Sequence, residues 1–187
     1  GCAALSAGDY VHRAIEAADL ILNIGHDVIE KPPFFMEKGG TKVIHVNFFA
    51  AHLSDVYFPQ LNVVGDISTS VQRIADKINI NPEWNFSYFA RIKKEVESHL
   101  SKYFEDDRFP LLPQRLVSML RDQLAEDDIV TLDNGVYKIW FARNYKCYQP
   151  NTLLLDNALA TMGAGLSSAI AAKMQNPDRK VVSVSGD

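Results

Sequence analysis

Short apolar runs alternate with longer amphipathic segments along this chain. Six of the runs have the length of strands and are rich in Val, Ile and Leu. They cover residues 20–24, 41–46, 61–64, 128–132, 152–155 and 180–185. The segments with helical spacing predict helices over residues 9–17, 67–80, 84–105, 113–125, 136–145 and after Met162. Because strands that alternate with helices are typical of parallel sheets, the pattern predicts an α/β fold of parallel sheets flanked by helices.

The apolar positions within these elements also predict which side chains are buried. Leu20–Ile24 is expected to be a buried strand that ends at Gly25, and Asp9 is the expected N-cap of the first helix. The helices over 67–80 and 113–125 each carry one apolar face that is expected to meet a core. Those faces consist of Val71, Ile74, Ala75, Ile78, Leu116, Val117, Leu120 and Leu124.

A polar helical segment separates two α/β regions. Pro82 ends the helix before it, and Trp84–Glu105 carries mostly charged and polar side chains, as solvated bridges do. The sequence therefore predicts three parts. They are the trailing part of one α/β domain over residues 1–81, a linker helix over 82–109, and the start of a second α/β domain over 110–187.

Composition and charge narrow the class of protein. The chain has 187 residues, of which 47% are hydrophobic and 22% charged, with a formal net charge of −4. This charge provides no basic surface for nucleic acid, and no apolar stretch reaches the roughly 20 residues that cross a bilayer. Cys2 and Cys147 have no motif spacing and are expected to be free thiols. We therefore expect a soluble cytoplasmic protein with neither nucleic-acid nor membrane partners.

The candidate chemistry lies where three predicted strands end in the second region. Gly135 follows the first of these strands, residues 156–162 follow the second, and Gly186 with Asp187 follows the third. Ligands of parallel sheets bind at the carboxyl ends of the strands, and a glycine before a helix exposes N–H groups to phosphate. A carboxylate beside such N–H groups suits a divalent cation that carries a diphosphate.

Several motifs resemble those of a known family. The order T-M-G-x-G-L, A-I-A-A, N-P-D-R-K-V-V and G-D at 161–187, with L-D-N-G at 132–135, is similar to the thiamine-diphosphate-dependent acetolactate (acetohydroxyacid) synthases. The resemblance covers the whole chain. It implies that residues 1–81 end a Rossmann-like middle domain and that residues 110–187 begin a diphosphate-binding domain. Because the chain starts without Met, we expect it to be an interior fragment of a catalytic subunit.

The resemblance also implies roles for particular residues. The implied cofactor site consists of Gly135, Val136, Tyr137, Ala160, Met162, Gly186 and Asp187. Residues 135–137 would line the diphosphate, the backbone at Ala160 and Met162 would hold the aminopyrimidine, and Asp187 would bind Mg²⁺. Met162 would prop the bent cofactor. The family's catalytic glutamate belongs to an N-terminal domain, so this chain is expected to supply no catalytic residue and to have no turnover alone.

The family reaction decarboxylates pyruvate and condenses its hydroxyethyl unit with a second 2-oxo acid. The resemblance implies such substrates, a homodimeric or homotetrameric parent protein, and a place in branched-chain amino acid biosynthesis or in catabolism. Where the biosynthetic enzymes have Gly-Gln-His, this chain has Gly135-Val136-Tyr137. Their arginine-containing turn is replaced by Gly25–Lys31, which contains no arginine and makes FAD a doubtful cofactor.

Two other readings remain open. The Val136-Tyr137 pair is compatible with another thiamine-diphosphate 2-oxo acid decarboxylase or carboligase. Residues 1–80 could instead form a non-catalytic nucleotide- or CoA-binding module. His26 and Asp27 at a strand end are expected to make local hydrogen bonds, and His45 is expected to be a satisfied residue within a sheet.

Overall fold

A computed structural model describes residues 10–26, 35–156 and 160–186. Its elements in chain order are α1 (Tyr10–Glu16), β1 (Leu20–Ile24), β2 (Lys42–Asn47), β3 (Leu61–Val64), α2 (Ile67–Ala75), α3 (Ser87–Ser101), α4 (Pro113–Asp122), β4 (Ile129–Leu132), α5 (Tyr137–Asn144), β5 (Leu153–Leu155), α6 (Ala164–Gln175) and β6 (Val181–Val184). The chain divides into two compact units, with the boundary between Val96 and Glu97. The predicted class, parallel sheets flanked by helices, is confirmed.

The first unit contains a parallel sheet in the order β1-β2-β3. Met36, Val43 and Tyr57 form its buried apolar cluster, and Ile21 packs against them. Asp66 follows β3 and caps α2, since its carboxylate accepts a hydrogen bond of 2.7 Å from the N–H of Thr69. The predicted N-cap of α1, Asp9, lies outside the described residues.

Two burial expectations for this unit are wrong. The strand β1 was expected to be buried, yet Leu20, Leu22 and Ile24 are 43–45% exposed. The reason is that side chains alternate between the two faces of a strand: Ile21 packs against the buried cluster, whereas Leu20, Leu22 and Ile24 lie on the opposite face, which the described residues leave partly exposed. The helix predicted over 67–80 ends at Ala75, and none of its residues is buried, so the apolar face through Val71 and Ile78 meets no core in the described part of the chain.

The second unit contains a parallel sheet in the order β5-β4-β6. All four residues of the central strand β4 are buried. Val117 on α4 and Phe141 on α5 pack with Val130 and Leu132 in one apolar cluster. Burial of this face by two helices makes β4 the fixed element to which the loops of the unit are attached.

The helix boundaries of this unit also differ from the predictions. Pro113 begins α4 as expected, but the helix ends at Asp122 and not at residue 125. The guanidinium of Arg121 donates to the carbonyl groups of Leu124 and Ala125, which satisfies backbone that would otherwise continue the helix. Leu116 was assigned to the core face but is exposed. Within the described ranges, no helix has both the length and the apolar character needed to cross a membrane.

Candidate cofactor site

The sheet order brings three predicted strand ends to one edge of the second unit. Leu132 at the end of β4 is level with Leu155 of β5 on one side and with Val184 of β6 on the other. The loops that follow these strands therefore leave the sheet side by side. This edge is where parallel α/β sheets bind ligands.

A tyrosine ring lies between two of these loops. A Cβ atom at Gly135 would overlap Cε1 of Tyr137, and one at Gly186 would lie 3.5 Å from the same atom. A side chain at position 135 would therefore require the ring of Tyr137 to move. The hydroxyl of Tyr137 is buried and has no hydrogen-bond partner in the described part of the chain. Such a group is able to bind a ligand that the protein fold leaves room for.

The third loop is held by an aspartate that sequence reasoning missed. Both carboxylate oxygens of Asp133 lie 2.9 Å from the backbone N of Gly163, at the start of α6. Oδ1 of Asp133 also accepts a hydrogen bond of 2.7 Å from the N–H of Asn134. Gly163 has a left-handed backbone with φ of 88°, which favours glycine. The usable signal was an acidic residue at a strand end followed by Asn-Gly.

Close packing fixes α6 against β4 at the same point. A Cβ atom at Gly165 would lie 2.7 Å from the backbone N of Asp133, so only glycine fits there. The hydroxyl of Thr131 donates to the carbonyl of Gly165 over 2.7 Å. The start of α6 therefore sits directly on the end of β4, and its position is set by both packing and hydrogen bonds.

The side chain of Met162 is 84% exposed, beside the turn at Gly163. This exposure excludes a core-packing role for Met162 in this structure. Ala160 is also exposed, and Val136 is 73% exposed at the start of α5. These three residues present apolar groups to solvent at the carboxyl edge of the sheet, where an apolar part of a ligand could be covered.

Lys138 is a second residue that sequence reasoning missed. Its ammonium group donates a hydrogen bond to the carbonyl of Asp156, which ties the start of α5 to the end of β5. Since Lys138 is the third residue after Gly135, no local sequence pattern distinguishes it from a solvent-exposed lysine of a helix. It contributes a positive charge at this edge.

Asp187 lies outside the described residues. Within residues 10–26, 35–156 and 160–186, no group of three or more His, Cys, Asp or Glu side chains is arranged to hold a metal ion. The Mg²⁺ assignment of Asp187 therefore stays a prediction, as do the cofactor roles of the other residues.

Two of the histidines of the first unit, His26 and His45, have structural explanations. His45 is buried, with Nδ1 2.8 Å from the Tyr57 hydroxyl and Nε2 3.1 Å from the Phe49 carbonyl, as expected for a satisfied sheet residue. Burial raises the pKa of Tyr57, and the hydrogen bond from Asn23 partly offsets this. The backbone carbonyl of His26 accepts from the amide of Asn47. Asp27 lies outside the described residues.

The residues at this edge fit thiamine diphosphate. The loop after β4 passes through Gly135 to the start of α5, where backbone N–H groups are suited to a diphosphate. The unpartnered hydroxyl of Tyr137 is a donor that such an anion could use. The exposed thioether of Met162 is free to contact a ring.

Comparison with known proteins identifies the class that this fold and edge define. Residues 1–74 match the central domain of thiamine pyrophosphate enzymes, and residues 133–187 match their C-terminal TPP binding domain. Together the two matches cover more than half of the chain, which belongs to the thiamine pyrophosphate enzymes. The expected thiamine-diphosphate cofactor is thereby confirmed at the level of the domain.

Several of the similar curated proteins are acetolactate synthases. The chain is 33% identical over 183 residues to the acetolactate synthase of Bacillus subtilis (strain 168), covering 92% of this chain and 31% of that protein. It is 32% identical over 185 residues to the catabolic acetolactate synthase of Raoultella terrigena, covering 97% of this chain and 32% of that protein. It is 28% identical to the isozyme 1 large subunit of acetolactate synthase from Escherichia coli (strain K12), covering 92% and 31%. The chain thus spans about a third of the length of these relatives.

Proposed function

We propose that the protein carrying this chain is a thiamine-diphosphate- and Mg²⁺-dependent acetolactate synthase. It would decarboxylate pyruvate and condense the hydroxyethyl unit with a second 2-oxo acid. One observation carries the proposal most directly. In the part of the chain that matches the C-terminal domain of thiamine pyrophosphate enzymes, the ring of Tyr137 lies between the loops after β4 and β6. Met162, in the loop after β5, is exposed.

In the proposed site, three loops at the edge of the sheet together bind the cofactor. Gly135, Val136 and Tyr137 line the diphosphate, and Gly186 and Asp187 complete this end, with Asp187 as the Mg²⁺ ligand. The N-terminal end of α5 and the nearby backbone N–H groups carry partial positive charge, which favours binding of the negatively charged diphosphate. This assignment is supported by the position of the Tyr137 ring, which lies beside Gly135 and close to Gly186.

In this proposal, Ala160 and Met162 contact the rings of the cofactor. The backbone of Ala160 and Met162 holds the aminopyrimidine edge, and the Met162 side chain supports the bent conformation. When bound, thiamine diphosphate supplies the electron sink that decarboxylation of a 2-oxo acid requires. The chain's own contribution is to orient the cofactor, which is a positioning role.

The remaining features of the whole protein follow from the same assignment. Residues 1–81 would belong to the middle domain, 82–109 to a linker helix and 110–187 to the diphosphate-binding domain. We further propose a cytoplasmic homodimer or homotetramer that works without FAD. The absence of arginine from Gly25–Lys31 and the similarity to a relative named as catabolic support this branch, and they favour a catabolic role over branched-chain amino acid biosynthesis.

A second candidate is another thiamine-diphosphate decarboxylase or carboligase. It is favoured by the ring of Tyr137, which occupies the space above Gly135 where the biosynthetic pattern has histidine. A phenol and an imidazole differ in charge and size, so the substrate could differ too. The nucleotide- or CoA-binding alternative for residues 1–80 receives no support from a particular contact.

The test is an assay of the whole protein with pyruvate, with and without thiamine diphosphate and Mg²⁺. We expect acetolactate to form only when both are present. A parallel panel of other 2-oxo acids distinguishes the second candidate, since faster turnover of one of them without acetolactate formation would replace the first proposal. No turnover of any 2-oxo acid by a folded, cofactor-loaded protein would contradict both.

A further inference from the structure

We propose that Asp133 is a positioning residue for the cofactor site. Its carboxylate anchors the turn at Gly163 and thereby sets the position of Met162. The inference rests on the proposed function, because Met162 matters to chemistry only if it supports thiamine diphosphate. The anchoring contact itself is independent of that function.

The contact is strong and spans a long stretch of sequence. Both carboxylate oxygens of Asp133 are 2.9 Å from the N–H of Gly163, thirty residues further along the chain. Hydrogen bonds to an ionised acceptor are about twice as strong as neutral ones. The carboxylate also lies at the positive N-terminal end of α6, which is a favourable place for an anion.

Asp133 is itself held in place. Its Oδ1 accepts from the N–H of Asn134, and its backbone N–H donates to the carbonyl of Val184 over 2.9 Å. The close approach of Gly165 limits movement of the aspartate toward α6. The contact between Asp133 and Gly163 therefore holds the turn in a fixed position relative to the buried strand β4.

The residues on the other side of the turn have few restraints of their own. Ala160, Thr161 and Met162 are exposed, and within the described part of the chain their one side-chain hydrogen bond joins the Thr161 hydroxyl to the neighbouring carbonyl at 3.4 Å. No described atom lies within 4 Å of the place that a Cβ atom at Gly163 would take, so packing restrains the turn only from Gly165 onward. Asp133 thus links the sheet edge to Gly163, the residue that directly follows Met162 in the sequence.

Loss of this contact should change the rate more than the fold. A misplacement of about 1 Å near a reacting centre can lower a rate on the order of 100-fold. The core cluster around Val130 and Phe141 does not include Asp133, so β4 should stay packed without the carboxylate. The turn and Met162 would then sample several positions.

The first measurement uses the cofactor-free whole protein and hydrogen exchange of the segment 160–166. We expect Asp133→Ala to speed exchange of the Gly163 amide at least about tenfold, while Asp133→Asn, which retains one acceptor oxygen, gives a smaller increase. Asp178→Ala, which removes an exposed carboxylate between α6 and β6, is the matched control and should leave the segment unchanged. Unchanged exchange in both Asp133 variants would overturn the proposal, whatever reaction the protein catalyses.

The second measurement is a double-mutant cycle of kcat between Asp133→Ala and Met162→Ala. If Asp133 acts through Met162, the double variant should be no slower than Met162→Ala alone, and the two losses should not multiply. Multiplying losses with faster exchange would mean that the anchor exists but does not act on Met162, which overturns the positioning role. If Asp133→Ala does not fold, the same cycle with Asp133→Asn should show a partial loss that disappears in the Met162→Ala background.

If no turnover is found in the unmodified protein, the proposed function fails but the exchange result stands by itself. Titration with thiamine diphosphate then gives the remaining readout. We expect Asp133→Ala to weaken binding of this cofactor several-fold, and unchanged affinity would remove the link between the anchored turn and the cofactor. The two failures are therefore distinguishable.

Discussion

At the scale of the residue, exposure separates the two roles open to Met162. A methionine that is 84% exposed makes little contact with the core, so its truncation should barely affect folding. We predict that Met162→Ala changes the free energy of unfolding by less than about 0.5 kcal/mol. In the same variant the steady-state rate should fall on the order of 100-fold.

The control for this prediction lies on α6. Met174 is 76% exposed and stands away from the carboxyl edge, so Met174→Ala should change neither stability nor rate. Melting temperature and rate are to be measured on both variants. A large fall in melting temperature with a normal rate per folded molecule would show that Met162 packs in a core.

Tyr57 is the residue on which the polar network of the first unit depends. Its hydroxyl accepts a hydrogen bond of 2.6 Å from Asn23 and lies 2.8 Å from Nδ1 of the buried His45. Tyr57→Phe would leave both partners unsatisfied, so we predict a loss of roughly 1–3 kcal/mol in the free energy of unfolding. Urea titration measures it, with Tyr148→Phe at an exposed tyrosine as the control. Equal stability of the two variants would show that water replaces the hydroxyl.

At the scale of the element, the contact between α6 and β4 depends on the absence of one methyl group. A Cβ atom at position 165 would lie 2.7 Å from the backbone N of Asp133 and 2.9 Å from its Cβ. Because neither backbone can yield easily, Gly165→Ala should destabilise the protein by roughly 1–3 kcal/mol, although alanine favours helices. Leu166→Ala, at an exposed neighbour on α6, is the control. A stabilised Gly165→Ala variant would mean that α6 can move away from β4.

The entry to β6 is held by the carboxylate of Asp128, which is buried. It accepts hydrogen bonds from the N–H groups of Ala125 at 2.7 Å and Lys180 at 2.8 Å. Burial acts to raise the pKa of Asp128, but these two bonds, with the charges of Lys180 and Arg121, outweigh burial and hold the pKa below its ordinary value. A depressed pKa in the folded state means that the ionised form stabilises the fold.

The pH dependence follows from that sign. The stabilisation is fully present above the unfolded-state pKa of about 4 and is lost as the pH falls through the lower folded-state pKa. Asp128→Asn should lower the free energy of unfolding at pH 7 by about 1.5 kcal/mol. The difference from the unmodified protein should shrink as the pH falls below about 4. Urea titrations at several pH values test this, with the exposed Asp122→Asn as control, and a pH-independent difference would contradict it.

Local sequence patterns predicted the positions of strands and helices better than they predicted burial and long-range contacts. The bounds of β1 and β3 agree with the prediction because apolar runs bounded by glycine or polar residues mark strands. The end of α2 was predicted five residues too late, since apolar spacing continues to Ile80 but no core in the described chain receives it. The bond from Asp133 to Gly163 joins residues thirty apart and has no local pattern, so it required a structure.

The candidate site was likewise predictable from the sequence only in part. Glycine after a predicted strand, followed by a helix, was enough to place two loops at the sheet edge. The ring of Tyr137 between those loops was not predictable, because its position depends on Gly186, which belongs to a distant strand end. Motif resemblance assigned Met162 to the cofactor, and the 84% exposure of its side chain shows that it packs in no core of the described residues.

At the scale of the whole molecule, the two units carry different parts of the proposed enzyme. Residues 1–74 match the central domain of the family and residues 133–187 its TPP binding domain. The residues proposed for the cofactor all belong to the second of these matches. The first unit contains the segment 25–31, on which the proposal about FAD rests.

The final prediction concerns flavin. The segment 25–31 follows β1 in the sequence and contains no arginine that could pair with a diphosphate. Since Asn47 donates to the carbonyl of His26, part of this segment is already occupied by the protein's own hydrogen bond. We predict that the whole protein purifies without visible flavin absorption. Its rate with pyruvate, thiamine diphosphate and Mg²⁺ should be the same with and without added FAD.

Two measurements decide this prediction together. Heat denaturation followed by fluorescence of the supernatant quantifies any released flavin, and the rate is compared before and after dialysis against FAD. The absence of flavin together with an unchanged rate would place the protein in the branch that works without FAD. A stoichiometric flavin, or a rate that requires FAD, would mean that the first unit binds this diphosphate through backbone groups and without arginine.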